Sequence, residues 1–133
     1  MKWLYLYSTA KEIKNNMEEL HKQIIDFIEQ FYKFGKENAI KLYTEGMCYW
    51  FAWILYTRFK ESAYCIIAYD PIGNHFCCMI DTKFYDITGE ITDDSIDWYS
   101  WSQYQRIDPV EAARITDDCI LKINRDGQTG ITI

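Results

Sequence analysis

The feature that most constrains this chain is a change of period. From residue 13 to 31, Ile13, Met17, Leu20, Ile24, Phe27 or Ile28, and Phe31 recur at steps of three and four. That spacing is one apolar face of a long helix. From residue 63 the pattern changes. "AYCIIAYD", "HFCCMI" and "KFYDIT" are β-branched and aromatic runs, the content of strands. Turn chemistry separates them at Asp70-Pro71-Ile72-Gly73 and near Asp81-Thr82. Helices first and strands later predict an α+β fold, with helices on one face of an antiparallel sheet. Between the two regimes, residues 47–60 read as a mostly buried helix, with Cys48, Phe51 or Ala52, Leu55 and Phe59 on one face.

The remaining elements are read from weaker signals. Residues 3–7 suit a short strand or lead-in, and Thr9 with Glu12 has capping-box spacing. Gly35 is a helix stop, and 37–43 a second helical piece. Residues 89–106 read as an acidic, aromatic loop. Pro109 starts a short helix through Arg114. "CILKIN" reads as a strand, Asp126-Gly127 as a turn and "GITI" as a last strand. The long stripe is mainly core, and its nearly heptad spacing also suits a dimer seam.

Composition narrows the function. A chain of 133 residues is expected to form a single domain over 1–133. With 49% apolar and 17% aromatic residues it has the material for a core. A formal net charge of −6 repels phosphates and anionic lipid, so neither nucleic acid nor a membrane is expected as partner. A protein or peptide substrate or partner of basic character suits it better. No apolar run is long enough to span a membrane, and "MKWLYLYSTA" lacks the long apolar stretch of an export signal. A cytoplasmic location with five reduced cysteines (48, 65, 77, 78 and 119) is the expectation. There is no CxxC pair and there are only two histidines, so no metal and no cofactor is expected. Cys65, Cys77, Cys78 and Cys119 read as core or edge thiols.

Cys48 is different because of where it lies. A thiol attacks a carbonyl as thiolate, and the start of a helix lowers its pKa through unpaired N–H groups and the dipole. Gly46 permits the tight entry. A base must be near. His21 lies mid-helix beside the stripe, a surface or boundary position. His75 opens a strand just after a Gly-Asn turn, where its ring can face a helix start. Asp86 is the candidate to orient that ring, and strand register decides whether it can. If Asp81-Thr82 are the two turn residues, Ile80 pairs with Lys83, Cys77 with Asp86 and His75 with Thr88. His75 and Asp86 are then diagonal neighbours on one face, roughly 7 Å apart in backbone terms. A turn at Thr82-Lys83 would pair Asp86 with Met79 and lose the contact. A three-residue loop would turn the side chains to opposite faces.

The stretch "G-M-C-Y-W-F-A" resembles the cysteine motif of papain-like peptidases. The order Cys on a helix, His on a strand and Asp on the next strand is similar to the wider papain-like and transglutaminase-like superfamily. "KFYDITG" is similar to its Asp-bearing strand. The layout GxC, H, YDxxG also resembles that of small proteins of bacteria and their phages. The resemblance covers 46 to about 92. It implies Cys48 as nucleophile, His75 as base and Asp86 as orienting group. It departs from papain at Leu42, where those enzymes carry an oxyanion-hole Gln, and Glu45 would oppose a nearby thiolate. Trp50, Trp98 and Trp101 are candidates for a substrate groove or partner surface, with an aromatic satellite core as the alternative.

Two functions compete on this reading. One is a small thiol hydrolase or acyl transferase acting on an amide or ester. The other is an inactive, acidic interaction protein of the same fold, such as a phage-type inhibitor of a host protein. A small-molecule pocket between the Cys helix and the sheet is a weaker third.

Overall fold

The structure is a computed structural model that describes residues 2–121, with the side chains of 9–118 and 120. The apolar stripe folds as expected into one long helix, α1, Lys2–Glu29, closed by a 3₁₀ turn at Gln30–Tyr32. The helix extends further back than the sequence suggests. Residues 3–7 are its first turns rather than a strand, and Thr9 lies inside it rather than at its cap. Gly35, at φ 121°, reverses the chain in the left-handed region, which a side chain would resist. Helix α2, Lys36–Thr44, follows, and then α3, Cys48–Phe59.

The period-two runs become β1, Cys65–Asp70, β2, His75–Ile80, and β3, Lys83–Asp86. Two further short strands, β4, Gly89–Ile91, and β5, Tyr99–Ser100, break up what reads in sequence as a loop. Among the described residues the sheet has the order β4-β3-β2-β1-β5 with every pairing antiparallel. Helix α4, Trp101–Ile107, is capped by Ser100, whose Oγ accepts from Gln103 N at 3.0 Å. Helix α5, Pro109–Ile115, is capped by Asp108, which accepts from Glu111 N at 3.1 Å. A π-helical turn, Thr116–Leu121, takes the start of the "CILKIN" run, so 119–121 are helical and not strand. The expected turn at Asp126-Gly127 and strand at "GITI" lie outside the described residues.

The core forms because alternate strand residues present one apolar face to the helices. Ile67, Cys78 and Tyr85 lie in one row across β1, β2 and β3, and all three are buried. Against them pack Phe51, Leu55 and Phe59 of α3 and Ile24 and Ile28 of α1. Edge-on ring pairs tie the helices together: Phe27 with Phe59 at 5.6 Å and Phe31 with Phe51 at 5.1 Å. His21 stands at the boundary of this core and bonds the buried Tyr85 hydroxyl through Nδ1 at 2.7 Å. The stripe is core only in its second half. Ile13 is 55% exposed and Met17 44%, while Ile24 and Ile28 are 1%. No helix among the described residues is long and apolar enough to cross a membrane.

Candidate active site

The site begins with the entry into α3. Gly46 takes φ 115°, and Met47 caps the helix without a side-chain hydrogen bond to it. Cys48 is therefore the first helical residue, at a turn that the side chain of Met47 leaves uncapped. Its thiol is half-buried. Burial pushes its pKa up, but this is outweighed by a hydrogen bond to the His75 ring, by the backbone N–H of Phe76, by the charge of His75 and by the N–H of Tyr49, so the net shift is downward.

His75 is placed by the turn before it. Asp70 Oδ1 accepts from Ile72 N at 3.0 Å, and Asn74 adopts φ 51°, its Oδ1 accepting from the Tyr69 hydroxyl at 2.7 Å. The chain then enters β2 with His75 paired to Asp70. The imidazole lies beside Asp86, with Nε2 and Oδ2 2.8 Å apart. That leaves Nδ1 as the nitrogen to serve Cys48. Burial lowers the pKa of His75, yet the hydrogen bonds to Asp86 and Cys48 and the charges of both raise it to about 9.

The register behind this contact is the one with Asp81-Thr82 as the turn. Asp81 takes φ 59°, and Ile80 pairs with Lys83, Met79 with Phe84 and Cys78 with Tyr85. One step further along the ladder brings Asp86 opposite Cys77, diagonal to His75. Asp86 is buried at 8% exposure. Its Oδ1 accepts from Thr88 N at 2.8 Å and from Thr88 Oγ1 at 2.5 Å. The turn-shaping role of Asp86 and its role beside His75 thus coexist, one on each carboxylate oxygen. Burial raises its pKa, and the bonds from His75 and Thr88 bring it below the usual carboxylate value.

Directions of shift set Cys48 apart. Burial raises the thiols of Cys65, Cys77 and Cys78, and only Cys48 among the described cysteine side chains is lowered. The shifts at Cys48 and His75 both favour the thiolate–imidazolium pair. Among the described residues no three His, Cys, Asp or Glu side chains are grouped to hold a metal.

The three tryptophans part company. Trp98 is half-buried, 6.3 Å from the His75 ring and stacked on Phe84 at 5.4 Å with 16° between planes. Trp50 is half-buried and, with Met47, Trp53 and Ile54, lines an open groove on the outer side of α3. Trp101 is a correction. It is only 8% exposed and packs on Tyr69 and Phe76 at 5.3 and 4.9 Å, so it belongs to the core and to no accessible groove. Leu42 is 48% exposed on α2 and has no polar group to donate. Sequence reasoning missed the N–H group of Phe76, and Phe84 as the shelf under Trp98. The first is a backbone group with no side-chain signature. Phe84 could have been found, since it lies two residues from Asp86 on the same strand face.

A family model described as Phage YunG-like protein matches residues 24–118. The chain therefore belongs to the Phage YunG-like family. This corrects the resemblance to papain-like and transglutaminase-like proteins, because the family matched over most of the chain is a different one. The likeness to phage proteins holds in that coarser form. No curated protein and no solved structure matches the chain.

Proposed function

We propose that this member of the Phage YunG-like family is a thiol hydrolase or acyl transferase that works through Cys48, His75 and Asp86. One observation carries the reading. A thiol with a lowered pKa at a helix start, an imidazole raised to about 9 and a buried carboxylate 2.8 Å from that ring lie in sequence. Nucleophile, base and orienting group in contact are what acyl transfer requires.

In the proposed cycle the Cys48 thiolate adds to an amide or ester carbonyl carbon. The carbonyl oxygen takes the negative charge beside the start of α3, whose dipole favours it. The intermediate collapses, the bond to the leaving nitrogen or oxygen breaks, and His75 gives that atom its proton. A thioester on Cys48 remains. His75, now neutral, takes a proton from water or an amine as it attacks. The C–S bond breaks, and acid or amide leaves with thiolate and imidazolium restored.

The alternative, an inactive binding protein, is supported by Leu42, which leaves the oxyanion without a side-chain donor from α2. Iodoacetamide labelling with site assignment by mass spectrometry separates the two. The catalytic reading expects Cys48 to react first, with an apparent pKa below the ordinary thiol value of about 8.5, and His75→Ala to raise that value. Uniformly slow labelling of all five cysteines would favour the binding protein.

A further inference from the structure

The group next to His75 in an acyl transfer is the leaving group, because His75 must hand it a proton. What lies next to His75 therefore selects leaving groups. Trp98 stands there, 6.3 Å from the imidazole, its indole held flat on Phe84. The two rings also line a depression of about 350 Å³ together with Ile91, Glu90, Asp93 and Asp94. Lys83 also reaches this space and lies 3.8 Å from Glu90, so that pair is balanced. Asp93 and Asp94 are left as net negative charge. The Asp93 carboxylate accepts from Ser95 N at 3.0 Å and Ser95 Oγ at 2.6 Å, which holds its pKa low and keeps it ionised. An apolar wall with an indole face and two carboxylates suits an alkyl chain that ends in a cation.

We propose that the depression walled by Phe84 and Trp98 is the leaving-group side of the site and takes an amine-bearing, cationic leaving group such as a lysine- or arginine-like chain. The inference rests on the reading of Cys48 as the acylated thiol. It adds a substrate class that the acyl-transfer chemistry alone does not specify.

Three thioesters with one acetyl group and different leaving thiols test it: acetylthiocholine (cation), S-acetyl-mercaptoethanol (neutral) and S-acetyl-mercaptopropionate (anion). Loss of thioester absorbance is followed above physiological ionic strength, where the protein's overall charge is screened. The expected kcat/KM is about tenfold higher for the cation than for the neutral ester, and lowest for the anion. The double variant Asp93→Asn with Asp94→Asn should erase the preference. Trp98→Ala should reduce the preference, and Trp98→Phe should retain most of it. Turnover without charge preference, or a preference that survives these variants, overturns the subsite while the thiol reading stands. A second arm needs no turnover. Choline chloride is titrated into the Cys48→Ala protein and the His75 ring protons are followed by NMR. Saturable shifts lost in the double Asp variant support the subsite even if no thioester is cleaved, in which case the catalytic reading is the one that fails. No shift with choline overturns the subsite.

Discussion

Replacing Asp86 by Asn tests the whole constellation, because the carboxylate uses both oxygens for different tasks. Oδ1 accepts twice from Thr88, and Oδ2 faces Nε2 of His75 at 2.8 Å. An amide has one acceptor oxygen. If that oxygen stays with Thr88, the NH₂ group points at His75 and can only donate. Nε2 must then give up its proton, and a neutral ring carries its proton on Nδ1, toward Cys48. Such a ring cannot take a proton from the thiol. The magnitude follows from the His75 shift. The gap between about 9 and the ordinary 6.5 corresponds to about 3 kcal/mol. Asp86 supplies the leading upward contribution, so Asp86→Asn should lower His75 toward its ordinary value, with Cys48 the remaining group that raises it. At pH 7 the imidazolium then becomes a minority species, and Cys48 should react with iodoacetamide at least about tenfold more slowly.

The same substitution has a signature in stability. A folded pKa above the unfolded one stabilises the fold fully below pH 6.5, and the gain is lost as pH rises toward 9. The wild-type protein should thus lose up to about 3 kcal/mol from this group between those limits. Urea denaturation at pH 6 and pH 9.5 of both proteins measures it: the raised thiols of Cys65, Cys77 and Cys78 lose stability over this range in each, and the loss should be smaller in Asp86→Asn by up to about 3 kcal/mol. An unchanged pH–rate profile for Cys48 in Asp86→Asn, together with the same pH dependence of stability in both proteins, would refute the coupling of the three groups.

Other substitutions probe single links. Leu55 is fully buried between α3 and the sheet, so Leu55→Ala should cost about 3 kcal/mol in denaturant melts. Gly46→Ala places a side chain at φ 115°, which should destabilise by about 1–2 kcal/mol and slow Cys48 labelling as the helix start shifts. Thr88→Val removes the hydroxyl bond to Asp86 but keeps the backbone one. Asp86 stabilises the fold above its unfolded pKa, and that gain is lost as pH falls through the lowered folded value. The acid unfolding midpoint of Thr88→Val should therefore move to higher pH.

What was legible in the sequence was set by short-range physics. The hairpin register follows from Asp81, whose short polar side chain tolerates φ 59°, and from the need to bury Cys78, Ile80 and Tyr85 together. Once that register holds, His75 and Asp86 have to meet. The ends of the elements were less legible. Helix α1 runs past the Thr9 cap signal, because nothing before it breaks a helix. The short strands β4 and β5 are recruited by the edges of a sheet already formed, so they need little propensity of their own. Trp101 is aromatic and follows an exposed acidic segment, which reads as surface. Its burial is decided by Tyr69 and Phe76, some thirty residues upstream, and no local pattern carries that information.

The site and the family were legible to different degrees for a related reason. A glycine before a cysteine at a helix start, a histidine opening a strand and an aspartate on the neighbouring strand need only three elements to come together. Any fold that packs a helix start against a hairpin end can assemble them, so their order points to chemistry and not to descent. The family is read from 24–118 as a whole, most of which never touches the site. The papain-like resemblance covers only 46 to about 92, the part of the chain that carries the site. The correction therefore replaces the family and leaves the contacts of the structure as they are. The reactivity of Cys48 in the wild type, in His75→Ala and in Asp86→Asn tests those contacts without any appeal to kinship.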